Sequence, residues 1–153
     1  IVTTVAGAAG PSLTPGNREI VFGDSGRNVL RTSAAPGSVV TTLNVKTDGT
    51  AERDAADQKC RPAVSKDGKR FAYVGADGSV YVRSLNEAIK VRVTPPKTDS
   101  RYTEVAFSPN GRILALTDGA AIYLAPSSPA ASTAGFPIAV LDQQGRIRSL
   151  SWQ

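Results

Sequence analysis

The chain has 153 residues, 41% hydrophobic and 20% charged, the balance of an ordinary soluble globular domain rather than a disordered or membrane-spanning one. With no His and one Cys, Cys60, it has no means of building a His-based triad, a zinc–histidine site, an intrachain disulfide or a Cys-rich metal cluster. The net charge of +5 (18 Lys and Arg against 13 Asp and Glu) is dispersed, with no basic run and no basic stripe interleaved with aromatics, which argues against nucleic-acid binding; no window approaches about 18 consecutive apolar residues, so no membrane span is expected.

The chain lacks Met, opens Ile1-Val2-Thr3 and stops at Ser151-Trp152-Gln153, which reads as a processed or excised piece. Residues 1–9 are apolar but short and without a basic flank, so they are not an intact signal peptide. Residues 6–16 are rich in Gly, Ala and Pro and read as a loop or linker. A strand is expected over 19–22, a turn at Gly23-Asp24-Ser25-Gly26, a second turn at Pro36-Gly37 and a strand over 39–43. Residues 50–57 look helical but carry no apolar stripe, and are expected to form a loop or a single turn. Next come a short strand ending at Val64, the turn Ser65-Lys66-Asp67-Gly68, a strand over 71–74, the hairpin Asp77-Gly78, and strands over 80–83 and 91–93. The same order recurs as 104–107, Ser108-Pro109-Asn110-Gly111, 113–116, Asp118-Gly119, 122–124 and 138–141, with a low-complexity stretch over 125–135.

Self-similarity explains this order. Residues 19–30 can be laid over 104–115 without a gap, residues 61–72 fall between them, and 147–153 begins a fourth copy. With Phe22, Val64, Phe107 and Trp152 taken as equivalent, the spacings are 42, 43 and 45 residues. A period of about 40–45 residues built from short strands is the signature of β-propeller blades. The expectation is an all-β propeller segment of about three four-stranded antiparallel blades plus the start of a fourth. Residues 1–16 would be a leading strand and linker, 17–60, 61–101 and 102–146 the three blades, and 147–153 the first strand of a truncated fourth. Three blades do not close a ring, so the segment is expected either to be excised from a larger propeller or to associate with a second copy. Residues 1–5 would then be the outer strand of a preceding blade. Phe22, Phe71, Tyr73, Phe107 and Trp152 are the expected inter-blade core, and Tyr81 and Tyr123, at matched positions, are expected to pack.

The motif Ala106-Phe107-Ser108-Pro109-Asn110-Gly111-Arg112, then Asp118-Gly119, then Ile122-Tyr123-Leu124 resembles the bacterial WD40-like repeat of TolB-type propellers, and Ser65-Lys66-Asp67-Gly68-Lys69 with Val80-Tyr81-Val82 is similar. The resemblance covers about residues 17–153. The chain has no Trp-Asp dipeptide and no Gly-His pair, so the eukaryotic WD40 hydrogen-bond network is not supported. The loops and the final Arg148-Ser149-Leu150-Ser151-Trp152 look somewhat like propellers of LpqB-type lipoproteins. The resemblance implies a non-enzymatic interaction module of an exported, periplasmic or cell-surface bacterial protein. Its alternatives are an accessory, substrate-gating propeller of a larger enzyme such as a prolyl-oligopeptidase-like serine peptidase, and a glycan-binding surface.

The candidate binding residues are cations in the loops that precede each first strand: Arg18, Lys59, Arg61, Arg101, Arg146 and Arg148. They would form an electropositive rim for an acidic peptide or an envelope component, weighed against ordinary solvated loop charge partly offset by Glu19 and Glu104. Asp24, Asp67 and Asn110 read as turn residues rather than calcium ligands, because a hard cation wants six to eight converging oxygens. Cys60 reads as a small buried residue at a strand entrance, weighed against half of a disulfide to a partner outside this chain. No catalytic residue, metal or cofactor is expected, since Ser and Thr have no His base here and the sialidase Asp box is absent.

Overall fold

The computed structural model describes residues 5–56, 61–96, 102–128, 138–142, 147 and 150–152. Among these, the strands form three four-stranded antiparallel sheets, each a meander of strands consecutive in the chain. The first comprises β1 (Ala9–Leu13), β2 (Glu19–Gly23), β3 (Val29–Ser33) and β4 (Thr41–Thr42). The second comprises β5 (Ala63–Val64), β6 (Arg70–Val74), β7 (Val80–Ser84) and β8 (Lys90–Arg92). The third comprises β9 (Glu104–Phe107), β10 (Ile113–Thr117), β11 (Ala121–Pro126) and β12 (Ile138–Asp142). The central strands are rich in Val, Ile, Tyr, Phe and Leu, which fit a pleated surface buried on both faces.

One hydrogen-bond motif marks the repeat. Thr14, Ser65 and Ser108 each follow an inner strand, and their Oγ atoms accept the N–H of the residue five positions on: Glu19 at 3.1 Å, Arg70 at 3.0 Å and Ile113 at 3.0 Å. Their own N–H groups donate to the carbonyls of the same three residues at 3.0, 2.9 and 2.9 Å. The hydroxyl thus closes the turn and satisfies a donor at the entrance of the second strand. A left-handed residue is needed inside the turn; Gly68 and Gly111 supply it at φ +69°, and Asn17, a residue tolerant of that region, supplies it in the first copy at φ +55°.

This motif corrects the register read from the sequence. Thr14, Ser65 and Ser108 are 51 and 43 residues apart, so Leu13, not Phe22, is the equivalent of Val64 and Phe107. Residues 9–13, expected to be linker, are the inner strand of the first sheet, which therefore begins before residue 17. Gly23 ends β2, and Asp24-Ser25-Gly26 belongs to the β2–β3 connection, the counterpart of Asp77-Gly78 and Asp118-Gly119. Pro36-Gly37 lies between β3 and β4 instead. The strand was hidden because Ala9-Gly10-Pro11-Ser12 carries little strand propensity, and Pro11 is tolerated because β1 is an edge strand. The extra length of the first unit lies in the β4–β5 connection, where segment 44–56 forms no helix and is pinned by isolated bridges Val45–Ala51 and Ala55–Gly75. Residues 1–4, including most of the expected preceding strand, lie outside the described residues. Ile147 and residues 150–152 are described but form no strand.

The second sheet is sandwiched. Phe71 and Tyr73 point toward the first sheet, packing with Val21, Val29 and Leu43. Ala72, Val74, Val80 and Val82 point the other way, onto Val105, Phe107, Leu114 and Leu116. Phe71, Tyr73, Val80, Leu114 and Leu116 have no exposed surface. Burial of each large apolar side chain stabilises by roughly 1.5–3 kcal/mol. Phe22 and Phe107 are also buried, but Trp152 is 40% exposed, because no fourth sheet covers it among the described residues. Arg70 bolts the second sheet to the third: its Nη2 donates to the Gly111 carbonyl at 2.7 Å, its Nη1 to Ser127 Oγ at 3.2 Å, and its guanidinium lies over the Phe107 ring.

Segment 44–56 latches the first sheet to the second through a polar cluster. Arg83, only 1% exposed, meets the Glu52 carboxylate and the Val45 carbonyl. Asp54 accepts from Lys90 Nζ at 2.6 Å, Tyr73 OH at 2.7 Å and Asn44 Nδ2 at 2.9 Å. Lys90 also sits 4.4 Å from the centre of the Tyr81 ring. Burial opposes ionisation of Asp54, but the hydrogen bonds from Lys90, Asn44 and Tyr73 outweigh it and hold the carboxyl below its ordinary value. Burial together with the Asp54 charge pushes the Tyr73 hydroxyl up, so it stays a neutral donor. In the hairpins, Tyr81 and Tyr123 do more than pack, donating to Asp77 Oδ2 at 2.8 Å and Asp118 Oδ2 at 2.9 Å.

Ser65→Ala and Ser108→Ala each strand a backbone N–H at a strand entrance, and each is expected to lower unfolding free energy by about 1–2 kcal/mol in urea titrations. Ser65→Thr is expected to be nearly silent, since Thr14 already performs the role in the first sheet. A carboxyl whose pKa is depressed by folding stabilises the fold above its ordinary value of 3.8, and that stability is lost as pH falls through and below it. Thermal melts are accordingly expected to show a decline in stability below about pH 4 that Asp54→Asn partly flattens, while the same substitution lowers stability at neutral pH.

Candidate binding cleft

The inner strands β1, β5 and β9 are each the free edge of their sheet, and together they line a cleft of about 490 Å³. Counting back from the turn hydroxyls puts Gly10, Arg61 and Glu104 in one layer, small residues Ser12, Ala63 and Ala106 in the next, and Leu13, Val64 and Phe107 in the last. Gly10 has φ +60°, and a Cβ there would stand 2.4 Å from Arg61 Cγ and 2.7 Å from Arg61 Cα. Only a residue without a side chain lets the first sheet approach the second this closely. Pro11 and Pro62 remove donors where no neighbouring strand needs them.

Arg61 is placed by Glu104. Its Nη1 lies 2.7 Å from Glu104 Oε1, and the other carboxylate oxygen, Oε2, accepts the Leu150 N–H at 2.9 Å. Glu104 is mostly buried, at 13% exposure, while the Arg61 side chain is 58% exposed. Glu104 therefore ties the second sheet to the segment that follows the third, and holds the guanidinium at the cleft with donors still open to solvent. An arginine so fixed can take a carboxylate or another planar anion in a bidentate contact with little further ordering cost.

Of the sequence-derived rim residues, the structure places Arg61 in the cleft. Arg18 does not join it, because the corrected register puts Arg18 in the turn after β1, at the opposite end of the inner strands. Lys59, Arg101, Arg146 and Arg148 lie outside the described residues, as does Cys60. Both expected offsetting carboxylates are paired: Glu104 with Arg61, and Glu19 with Arg31 at 3.7 Å. The turn carboxylates and amide serve their own turns. Asp24 Oδ1 accepts from Gly26 and Asn28 N–H at 2.9 Å, Asp67 Oδ1 from Lys69 N–H at 3.1 Å and Asn110 Oδ1 from Arg112 N–H at 3.0 Å. Among the described residues, no group of three or more His, Cys, Asp or Glu converges as a metal-ligand set, and no helix is long and apolar enough to cross a membrane.

Sequence reasoning missed Glu104 as the residue that positions Arg61, and missed the latch of Glu52, Asp54, Tyr73, Arg83 and Lys90 altogether. The corrected repeat would have found the first, since Arg61 and Glu104 occupy the same position in consecutive units. Nothing local marks the second, whose ion pairs join residues 31 to 38 apart in the chain.

No family model and no curated protein matches this chain. Its fold does match solved structures. A chain from the crystal structure of a nidogen/laminin complex superposes over 91% of this chain and 50% of its own length, at 12% identity and a TM-score of 0.65. A chain of hydrazine synthase from Kuenenia stuttgartiensis superposes over 81% of this chain and 34% of its own length, at 16% identity and a TM-score of 0.54. This chain thus spans about half and about a third of those two, both propeller-type folds. Three radial four-stranded meanders with their inner strands around a shared cleft are a β-propeller segment.

Proposed function

We propose that this chain is a non-enzymatic protein-interaction module, part of a TolB-like propeller of an exported bacterial protein. The observation that carries the reading is the cleft: three inner strands hold an exposed guanidinium, Arg61, in place through a mostly buried carboxylate. Such a surface recognises a partner's carboxylates by geometry and charge without rearrangement. The polar groups with perturbed pKa values that are described form internal latches and hairpin bonds, an arrangement that serves rigidity. The match to a propeller from a complex between two proteins, nidogen and laminin, is consistent with recognition by this architecture. The match to a chain of an enzyme, hydrazine synthase, keeps a second reading in play, an accessory propeller beside a catalytic domain.

Photocrosslinking from inside the cleft tests the first reading. A benzophenone amino acid in place of Ala106, which lines the cleft beside Arg61, in the exported parent protein is expected to capture one discrete protein species, and Arg61→Ala is expected to abolish that capture. The same group at Arg92, exposed on the outermost strand β8, is expected to capture none of it. Equal capture from both positions, capture undiminished by Arg61→Ala, or capture from position 106 only of a catalytic domain of the same polypeptide overturns the reading; the last outcome establishes the second.

A further inference from the structure

The turns that follow the inner strands make up the rim opposite the Arg61 layer, and this rim has a chemistry of its own. Arg18, Lys69 and Arg112 hold the same place in the three units: their carbonyls accept the N–H of Ala34 at 2.8 Å, Leu85 at 2.9 Å and Ser127 at 2.9 Å. All three side chains are exposed, as is Lys66, and none of the four forms an ion pair with a described residue. The carboxylates nearby are fewer. Asp67 accepts Ser65 Oγ and Lys69 N–H within its turn, Glu19 is paired with Arg31, and Glu87 is exposed in the β7–β8 connection. The other rim repeats an acid instead, with Asp24, Asp77 and Asp118 in the three β2–β3-type hairpins. Among the described residues, the exposed, unpaired cations of the turn rim outnumber its carboxylates.

Beside these cations lies an apolar recess. Leu13, 53% exposed, lines with Pro15, Val64 and Lys66 a cavity of about 430 Å³ between the first two turns. A second cavity of about 420 Å³ adjoins it, bounded by Arg18 and by Asp67 and Glu19. The turns themselves are stiff, closed by the Thr14, Ser65 and Ser108 bonds and by the Arg70 bolt.

We propose that the turn rim binds an acidic peptide segment of a partner protein. An apolar side chain of the peptide occupies the Leu13–Val64 recess, and flanking carboxylates meet Arg18, Lys66, Lys69 and Arg112. The inference rests on the interaction-module reading and adds to it a second face and the chemistry of what that face recognises. A flat anionic lipid surface would touch the projecting cations but leave the recess unfilled, whereas a peptide uses both.

The test is selection from a random-peptide display library on the purified chain, followed by anisotropy titration of labelled winners. The expected result is winners with Asp or Glu flanking an apolar residue. Their binding should weaken with ionic strength, fall by roughly tenfold or more in the Lys66→Glu, Lys69→Glu, Arg112→Glu variant, and hold in Arg61→Ala. If the triple reversal does not fold by circular dichroism, Lys69→Gln with Arg112→Gln carries the test, with a smaller but measurable loss. Leu13→Asp is expected to abolish the apolar preference. The proposal is overturned by an absence of winners, by winners without acidic residues, by binding indifferent to the rim substitutions, or by binding to phosphatidylglycerol vesicles in place of peptides. Winners lost in Arg61→Ala but retained in the rim variants would place recognition in the central cleft, removing this inference while leaving the proposed function intact.

Discussion

A sheet with apolar side chains on both faces must be covered on both, and the second sheet meets that requirement by standing between the other two. Strict alternation along β6 sends Phe71 and Tyr73 one way and Ala72 and Val74 the other. A single slip of register would exchange the two sets and leave large rings facing a surface shaped for small ones. Because the sheets twist as they stack, their inner strands converge, and the edges β1, β5 and β9 face a common space. The cleft is thus a consequence of how the cores are packed.

Where packing leaves freedom, polar groups remove it. The turn hydroxyls fix the entrance of each second strand, Arg70 fastens one turn to the next sheet, and the Arg83–Glu52 and Lys90–Asp54 pairs hold segment 44–56 across the first interface. Buried ion pairs cost about as much in desolvation as they return, so their value here is specificity more than net stability. They define one arrangement of a loop that has few apolar residues to bury. The same economy appears at the cleft, where one carboxylate, Glu104, orients Arg61 and caps a backbone donor of the following segment.

The sequence reading succeeded where periodicity and turn chemistry are local. The strands over 71–74, 80–83, 104–107, 113–116 and 138–141, and the Asp-Gly hairpins, are where the pattern puts them. It failed at β1, where strand formation is imposed by pairing with β2 and by the tight approach of Gly10 to Arg61, neither visible in a run of Ala, Gly, Pro and Ser. That one miss shifted the first unit by a strand, and it moved Arg18 from one rim to the other. The Ser/Thr position at 14, 65 and 108 carries the true register, but a hydroxyl in a turn is too common to stand out until its i to i+5 bond is seen.

The amino-acid sequence by itself determined the all-β class, the recurrence of a four-stranded unit, the hairpin chemistry and the lack of His-based catalysis, because each depends on residue type and short-range spacing. Tertiary structure decided which strands are innermost, which cations share a rim, and that Glu104 positions Arg61. Those relations join residues some 40 or more apart in the chain, and only the packing of one sheet face on another brings them together.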